Sequence, residues 1–411
     1  MAASSSKGPN AVAVSGAPQT EFTLSQLVSW ILEHNPDIVS ALRAVQGAEA
    51  GVLSASAFPN PRIEYGSGQN HARVASGVPG NVRSWSVVQP LENPWMRNAR
   101  IDSAKANAQM VGSESQLTRN DVTAQILLRA YELLLREEEL IAASESARLL
   151  EQVREKVRLR VEVGEAARYE AIKADAELIS ARQRETTARL MVEQSRLALN
   201  RLAAGKLPAQ WKLVARLSDE RSLPSLVELQ ARALEANPEL RALQSGVQKA
   251  QSLLRSARAS RLPGLELRYS ELRDPEIRQT VGAVGLQIPL FDQRRGPVSE
   301  ASAELARSQS RLDGRRAELQ QQVLIAWQAL EMANATVKAL GQGALQEAES
   351  ALRVAQAAYQ FGERGILEVL DAQRVLRSVR ADLLQAKFQA QVAKISLEQL
   401  AGSYANRFTG E

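Results

Sequence analysis

The stretch YQFGERGILEVLDAQRVL (359–376) decides the fold. It holds Gly362 between two long runs with helical spacing. Glycine tolerates the positive φ that a tight helix–helix turn often needs, so the chain is expected to fold back here. Upstream, a helix is expected from about Pro297 to Gln360. The turn occupies Phe361–Gly365, and a return helix runs to about Leu400.

Earlier in the chain the same arrangement occurs once more. Gly164-Glu165 precedes Gly362-Glu363 by 198 residues, and Leu202-Ala203 precedes Leu400-Ala401 by 198. Pro90-Leu91 recurs as Pro289-Leu290 after 199 residues, and Asn35-Pro36 as Asn237-Pro238 after 202. Four dipeptides in one order at nearly constant spacing mark an internal duplication. The expected division is a flexible tail at 1–20, a first repeat at 21–204, a linker or equatorial segment at 205–224, a second repeat at 225–402 and a tail at 403–411.

Each repeat reads alike. A first helix is expected from about Thr23 to Ala57, stopped by Pro59-Asn60-Pro61, and its counterpart near Ser225–Ser260, stopped at Pro263. A strand pair follows, within 61–91 in the first repeat and 265–291 in the second. LELRYS (265–270) and TVGAVGLQI (280–288) alternate apolar with polar or small residues. Ile63, Tyr65, Trp85 and Val87 form the corresponding pattern in the first repeat. Gly-rich polar loops are expected at 66–81 and 271–279. In the first repeat Asn93-Pro94 then suits the start of a helix reaching about Val163. Ile126, Leu133, Leu140 and Ala147 recur every seven residues, as in a coiled-coil seam. Roughly 65 residues at ~1.5 Å each give a rod of about 100 Å.

Composition supports long helices over a globular core. Aromatics are 4% of the 411 residues, while Ala, Leu, Gln, Glu and Arg dominate. The 51 basic and 46 acidic residues are interspersed, without the basic stripe of a nucleic-acid binder. With no cysteine, the chain as given has no disulfide, thiolate metal site or lipidated N-terminal Cys. No apolar run is long enough for a transmembrane helix. MAASSSKGPNAVAVSGAP (1–18) lacks a signal peptide's apolar core. Either the chain is cytoplasmic, or it is a mature form whose signal has been removed.

Four strands cannot close a membrane barrel alone, because bacterial barrels start at eight. Open edges are not viable in lipid, so such strands would need other copies. Three copies would supply twelve strands and six hairpins. A soluble α+β protein or a soluble coiled-coil scaffold carries the same periodicity, and the pattern alone leaves these readings open.

Three stretches favour the duct over the scaffold: NPDIVSALRAVQGAEAGVLSASAFPNPRIEYG (35–66), GAVGLQIPLFDQRRG (282–296) and the opening stretch. Together with the duplicated order of elements, they resemble the TolC-like outer membrane factor family from about Glu21 to Gly402. The resemblance implies a mainly α fold with short β. Internally duplicated long helical hairpins would form a trimeric α-barrel, and four strands per chain a shared 12-strand transmembrane β-barrel. It implies a homotrimer in outer-membrane lipid with a periplasmic extension, passively conducting substrate. The implied partners are a periplasmic adaptor (membrane fusion protein) and an inner-membrane pump. PNPRIEYG (59–66) and QPLENPWMRNARIDSA (89–104) are most similar to the CzcC-like branch, which implies a pump of the resistance-nodulation-division type and divalent heavy-metal cargo. Drug efflux and type I protein secretion are the alternatives.

The resemblance also assigns residues. Gly164, Glu165, Gly362 and Glu363 fall at the periplasmic tips, where the adaptor would dock. Glu368 and Asp371 lie three apart, on one helix face. In a trimer they would make two stacked carboxylate rings, which select cations. By spacing, the family's closed-state links fall on Glu170, Tyr359 and Arg364, with Arg168 and Lys173 as further candidate partners. No enzymatic constellation and no cofactor motif is found. His34 and His71 lie in unrelated segments without metal-ligand spacing. A periplasmic adaptor would have one hairpin between β-domain halves, where this chain has two equivalent hairpins.

Overall fold

The computed structural model describes residues 20–71, 73, 75–218, 223–405 and 407. The expected N-terminal tail therefore lies outside the described residues except for Thr20. So do linker residues 219–222, loop positions 72 and 74, and most of the tail at 403–411.

The first repeat begins with β1 (Thr20–Thr23), α1 (Leu24–His34) and α2 (Pro36–Ser56). One helix was expected here, and the structure divides it at Asn35. Proline at 36 biases its predecessor to extended geometry, and Asn35 has φ −73° and ψ 126°. The Asn35 carboxamide oxygen accepts from the N–H groups of Asp37 (3.0 Å) and Ile38 (3.3 Å). Pro36 takes the first helical position, where its missing N–H costs nothing. Its counterpart divides in the same way into α5 (Leu226–Ala236) and α6 (Pro238–Ala259), with Asn237 as the cap. In both repeats the cap's amide nitrogen also ties down the end of the return helix. Asn35 donates to the Leu202 carbonyl and Asn237 to that of Leu400, each at 2.9 Å.

The strands β2 (Arg62–Asn70) and β3 (Gly80–Leu91) run further than the expected loop at 66–81 allowed. Gly66 pairs with Ser84 inside the strand, and a Cβ there would lie 2.7 Å from the Ser84 hydroxyl, so the position takes glycine. Likewise β5 (Gly264–Arg273) and β6 (Arg278–Gln287) shrink the second loop to four residues. There the Asp274 carboxylate accepts from the N–H groups of Glu276 and Ile277. The four strands form one antiparallel sheet in the order β2-β3-β5-β6.

The rods follow the sheet. α3 (Pro94–Glu162) is a single helix of 69 residues, roughly 100 Å long, started by the Asn93 side chain accepting from Trp95 N–H at 2.9 Å. α4 (Arg168–Leu202) returns along it. In the second repeat the outgoing rod is interrupted. α7 (Arg295–Ala339) passes through a π-helical turn at Leu340–Ala344 into α8 (Leu345–Gln360), and α9 (Ile366–Leu400) returns.

Burial runs along the rods in three clusters. The first surrounds the middle of α3 and holds Ile126 and Leu133 of the seven-residue seam, both fully buried. It is finished by a feature absent from the sequence reading. β1 pairs in parallel with β4 (Trp211–Val214), inside the expected linker, with Phe22 opposite Leu213. Phe22, Trp211 and Tyr404 seal that waist. The second cluster lies toward the hairpin turns and includes Ala147, Val157, Ile366 and Val369. The third joins α5, α6, α7 and the upper part of α9.

Candidate functional site at the hairpin tips

Both turns close by the same hydrogen bonds. Gly164 has φ 79° and Gly362 φ 75°. At the first, Gly164 N–H donates to Val161 and Glu165 N–H to Arg160, at 3.1 and 2.8 Å. At the second, Gly362 N–H donates to Tyr359 and Glu363 N–H to Ala358, at 3.2 and 2.9 Å. This is the Schellman arrangement, which satisfies two terminal carbonyls and needs a left-handed residue. The side chains of Glu165 and Glu363 are left exposed at the tips.

Glu368 lies in the first turn of α9 and Asp371 one turn on, both exposed. Each carboxylate meets an arginine of its own hairpin, one in the turn and one in α9. Arg364 reaches Glu368 at 2.7 Å, and Arg374 reaches Asp371 at 3.5 Å. Arg374 is held more closely by Glu177 of α4 on the other hairpin. The Glu177 side chain is only 14% exposed. Burial alone would raise its pKa. The hydrogen bond and charge of Arg374, with Arg184 and Lys173 behind it, outweigh burial and hold Glu177 below its ordinary value.

Tyr359 is buried between the hairpins. The Arg160 guanidinium lies 5.0 Å from its ring centroid and donates to its backbone carbonyl at 3.2 Å. Its hydroxyl has no hydrogen-bond partner among the described residues. Burial raises its pKa, Arg160 opposes this, and the Glu170 carboxylate adds to the rise. The structure thus brings Tyr359 and Glu170 within electrostatic reach. Within one chain it leaves Arg364 on Glu368. A groove of about 740 Å³ opens between the hairpins beside this site, lined by Lys156, Arg160, Glu165, Tyr359 and Phe361. Arg160, Arg374 and Glu177 were absent from the sequence reading, although each stands where the other repeat has alanine or valine.

At the opposite end, the sheet has two unlike faces. Ile63, Tyr65, Val87, Leu267, Tyr269 and Val284 share one face by register, most of them exposed. Glu64, Ser84, Ser86, Ser270 and Glu266 share the other. The outer edges of β2 and β6 are unpaired among the described residues. Among the described residues no helix is long and apolar enough to cross a membrane, and no group of side chains is placed to hold a metal ion.

Long paired hairpins beneath a two-faced sheet with free edges define a channel subunit of a cell envelope. The sequence profile of the outer membrane efflux proteins matches residues 27–205 and again 229–403, and the chain belongs to that family. Among its relatives is the cobalt-zinc-cadmium resistance protein CzcC of Cupriavidus metallidurans, 25% identical over 93% of this chain and 90% of that one. Solved structures share the fold. CusC superposes with a TM-score of 0.81 at 19% identity, covering 92% of this chain and 91% of its own. The open state of the Neisseria gonorrhoeae MtrE channel also gives 0.81, at 18% identity, covering 94% of this chain and 91% of its own. The protein is an outer-membrane efflux channel whose helical part extends into the periplasm.

Proposed function

We propose that three copies of the chain close into one duct, β6 of each copy pairing with β2 of the next. The twelve strands make a transmembrane barrel, and the six hairpins continue it as a helical tube. The observation that carries this reading is the sheet, with one apolar face, one polar face and two unpaired edges. Unpaired backbone groups in lipid each cost several kcal/mol, so closure is the low-energy arrangement. The apolar face then meets outer-membrane lipid. If the full-length chain stays soluble without detergent as a monomer or dimer, the duct reading is lost.

The duct passively conducts divalent heavy-metal cations from an inner-membrane pump of the resistance-nodulation-division type and a periplasmic adaptor. Support comes from the relative named for cobalt, zinc and cadmium resistance. The adaptor docks at Gly164, Glu165, Gly362 and Glu363, beside the tip groove. Glu170, Tyr359 and Arg364 hold the closed tip. Glu368 and Asp371 form the cation-selective constriction, three of each around the pore axis. In planar bilayers, Glu368→Ala with Asp371→Ala is expected to lower the cation-to-anion permeability ratio several-fold. Unchanged selectivity removes both residues from the gate. In a host given the matching pump and adaptor, the channel is expected to restore zinc, cobalt and cadmium tolerance, and restoration of drug tolerance alone would overturn the cargo.

A further inference from the structure

We infer that the outer rim of the sheet binds the phosphate groups of lipids in the outer leaflet. This rests on the proposed barrel. The register places Arg83, Arg273 and Arg278 side by side in one row across β3, β5 and β6. The row lies on the apolar face, at the end of the sheet farthest from the helices. Since the helices extend into the periplasm, this end faces outward.

Like charges directly opposite one another in a sheet are destabilising. The local acids do not cancel these three. Glu271, one row inward, pairs with Arg278 at 2.8 Å and lies 3.6 Å from Arg273. Asp274 accepts backbone N–H groups of its own turn, and Glu276 accepts from Val78 N–H at 2.7 Å. Arg83 is exposed and has no ion-pair partner among the described residues. One carboxylate thus faces the row, engaging Arg273 and Arg278 and leaving Arg83 unmatched, so the row keeps a net positive charge with which to take phosphate.

Position separates a lipid from a free anion. Just inward of the arginines lie Tyr65 and Trp85, then Tyr269, whose ring centroid is 5.1 Å from that of Trp85. Aromatics at this level mark a membrane interface. From Arg83 to Leu91 the strand covers ~27 Å, or about 20 Å of height after the usual barrel tilt. That approaches the ~25 Å apolar band of outer-membrane barrels, so the arginines sit at headgroup depth. The row at the periplasmic end of the same face is Leu91, Leu265 and Leu286. The basic row therefore exists on one side of the membrane only. Its ligand is an amphiphile, with acyl chains over Val87 and Val284 and phosphates over the arginines.

The test uses the full-length, detergent-solubilised protein in native mass spectrometry, titrated with lipid A. The wild-type trimer is expected to retain lipid A. The variant Arg83→Gln, Arg273→Gln, Arg278→Gln should lose on the order of 10-fold in affinity, and Arg83→Gln alone about 3-fold. The single variant breaks no ion pair, so it keeps the test valid if the triple variant misfolds. Dephosphorylated lipid A should bind as weakly to wild type as lipid A does to the triple variant. Equal binding by wild type and Arg83→Gln, equal binding of the dephosphorylated lipid, or displacement of lipid A by inorganic phosphate would each overturn the inference. A wild-type chain that forms no trimer fails the barrel reading and the lipid site with it. An intact trimer without lipid A preference fails the lipid site alone.

Discussion

Tip one turns at Gly164 and tip two at Gly362, with the same φ to within a few degrees and the same two hydrogen bonds. The side chains around them do not match. Six and nine residues past the glycine, the first tip has Glu170 and Lys173 where the second has Glu368 and Asp371. Tyr359 stands against Val161, and Arg374 against Ala176. The two cross-hairpin ties nearest the tips use such diverged positions. Arg374 pairs with Glu177, whose counterpart is Val375, and Arg160 packs on Tyr359, while its own counterpart is Ala358. A strict repeat would offer every tie twice. Divergence leaves each on one side of a hairpin, so the duplicated backbone carries an unduplicated tip. The outgoing rods differ as well, α3 being unbroken and α7 giving way to the π-helical turn before α8.

The strongest way to break the comparison lies at the far ends of the return helices. Ala204 and Gly402 are equivalent, and both are left-handed, at φ 52° and 68°. Copy two cannot accept a side chain there. A Cβ on Gly402 would lie 2.7 Å from the Ala236 carbonyl oxygen and 3.1 Å from Pro238. Gly402→Ala is expected to cost roughly 3 kcal/mol, ~1–2 from the left-handed backbone and the remainder from the clash. Ala204→Gly should be neutral or stabilise by up to about 1 kcal/mol. Denaturant melts of the detergent-solubilised trimer measure both, and equal responses would deny the packing difference between the repeats.

A smaller pair of changes probes what the repeats share. Asn35 and Asn237 each cap a helix and hold the carbonyl of Leu202 or Leu400. Asn35→Ala and Asn237→Ala should each cost about 1–2 kcal/mol, from a lost cap and a lost buried hydrogen bond. Similar losses are the expected outcome. A silent substitution at one site would mean that the two seams are not equivalent in strength.

Much of this was legible before any coordinates. The tip glycines, the strand alternation and the start of α3 at Asn93-Pro94 are local consequences of residue type. Fold and family were readable because the duplication repeats these signals in order. The waist was not. β1 and β4 have four residues each and lie far apart in sequence, too short for periodicity to register. Glycines also misled, because Gly66 reads as a loop residue but is needed where a neighbouring hydroxyl approaches a strand closely. The tip ties were hidden for another reason. Helical spacing tells which face of its own helix Arg374 occupies, but not that Glu177 lies across from it. That depends on the relative phase of two hairpins, and the π-helical turn shifts that phase in one of them.

The Glu177–Arg374 tie gives the smallest expected effect and the sharpest reading of the tip. Arg374 is 43% exposed, so the pair contributes ~1 kcal/mol or less. A double-mutant cycle with Glu177→Gln and Arg374→Gln isolates it. Its pH dependence has a definite sign. The folded-state pKa of Glu177 lies below the ordinary 4.5, so the coupling is fully present above that value and is lost as pH falls through the depressed one. Neutral solution therefore keeps the hairpins tied. The control is Asp175, which pairs with Arg154 at 2.7 Å inside hairpin one. Hydrogen exchange at both tips separates the two ties. Glu177→Gln should speed exchange on both sides of the groove, around Gly164 and Gly362 alike, while Asp175→Asn should affect hairpin one only. If Glu177→Gln also left tip two unchanged, the tie would not couple the hairpins, and the difference between the two tips would reduce to their surface charge.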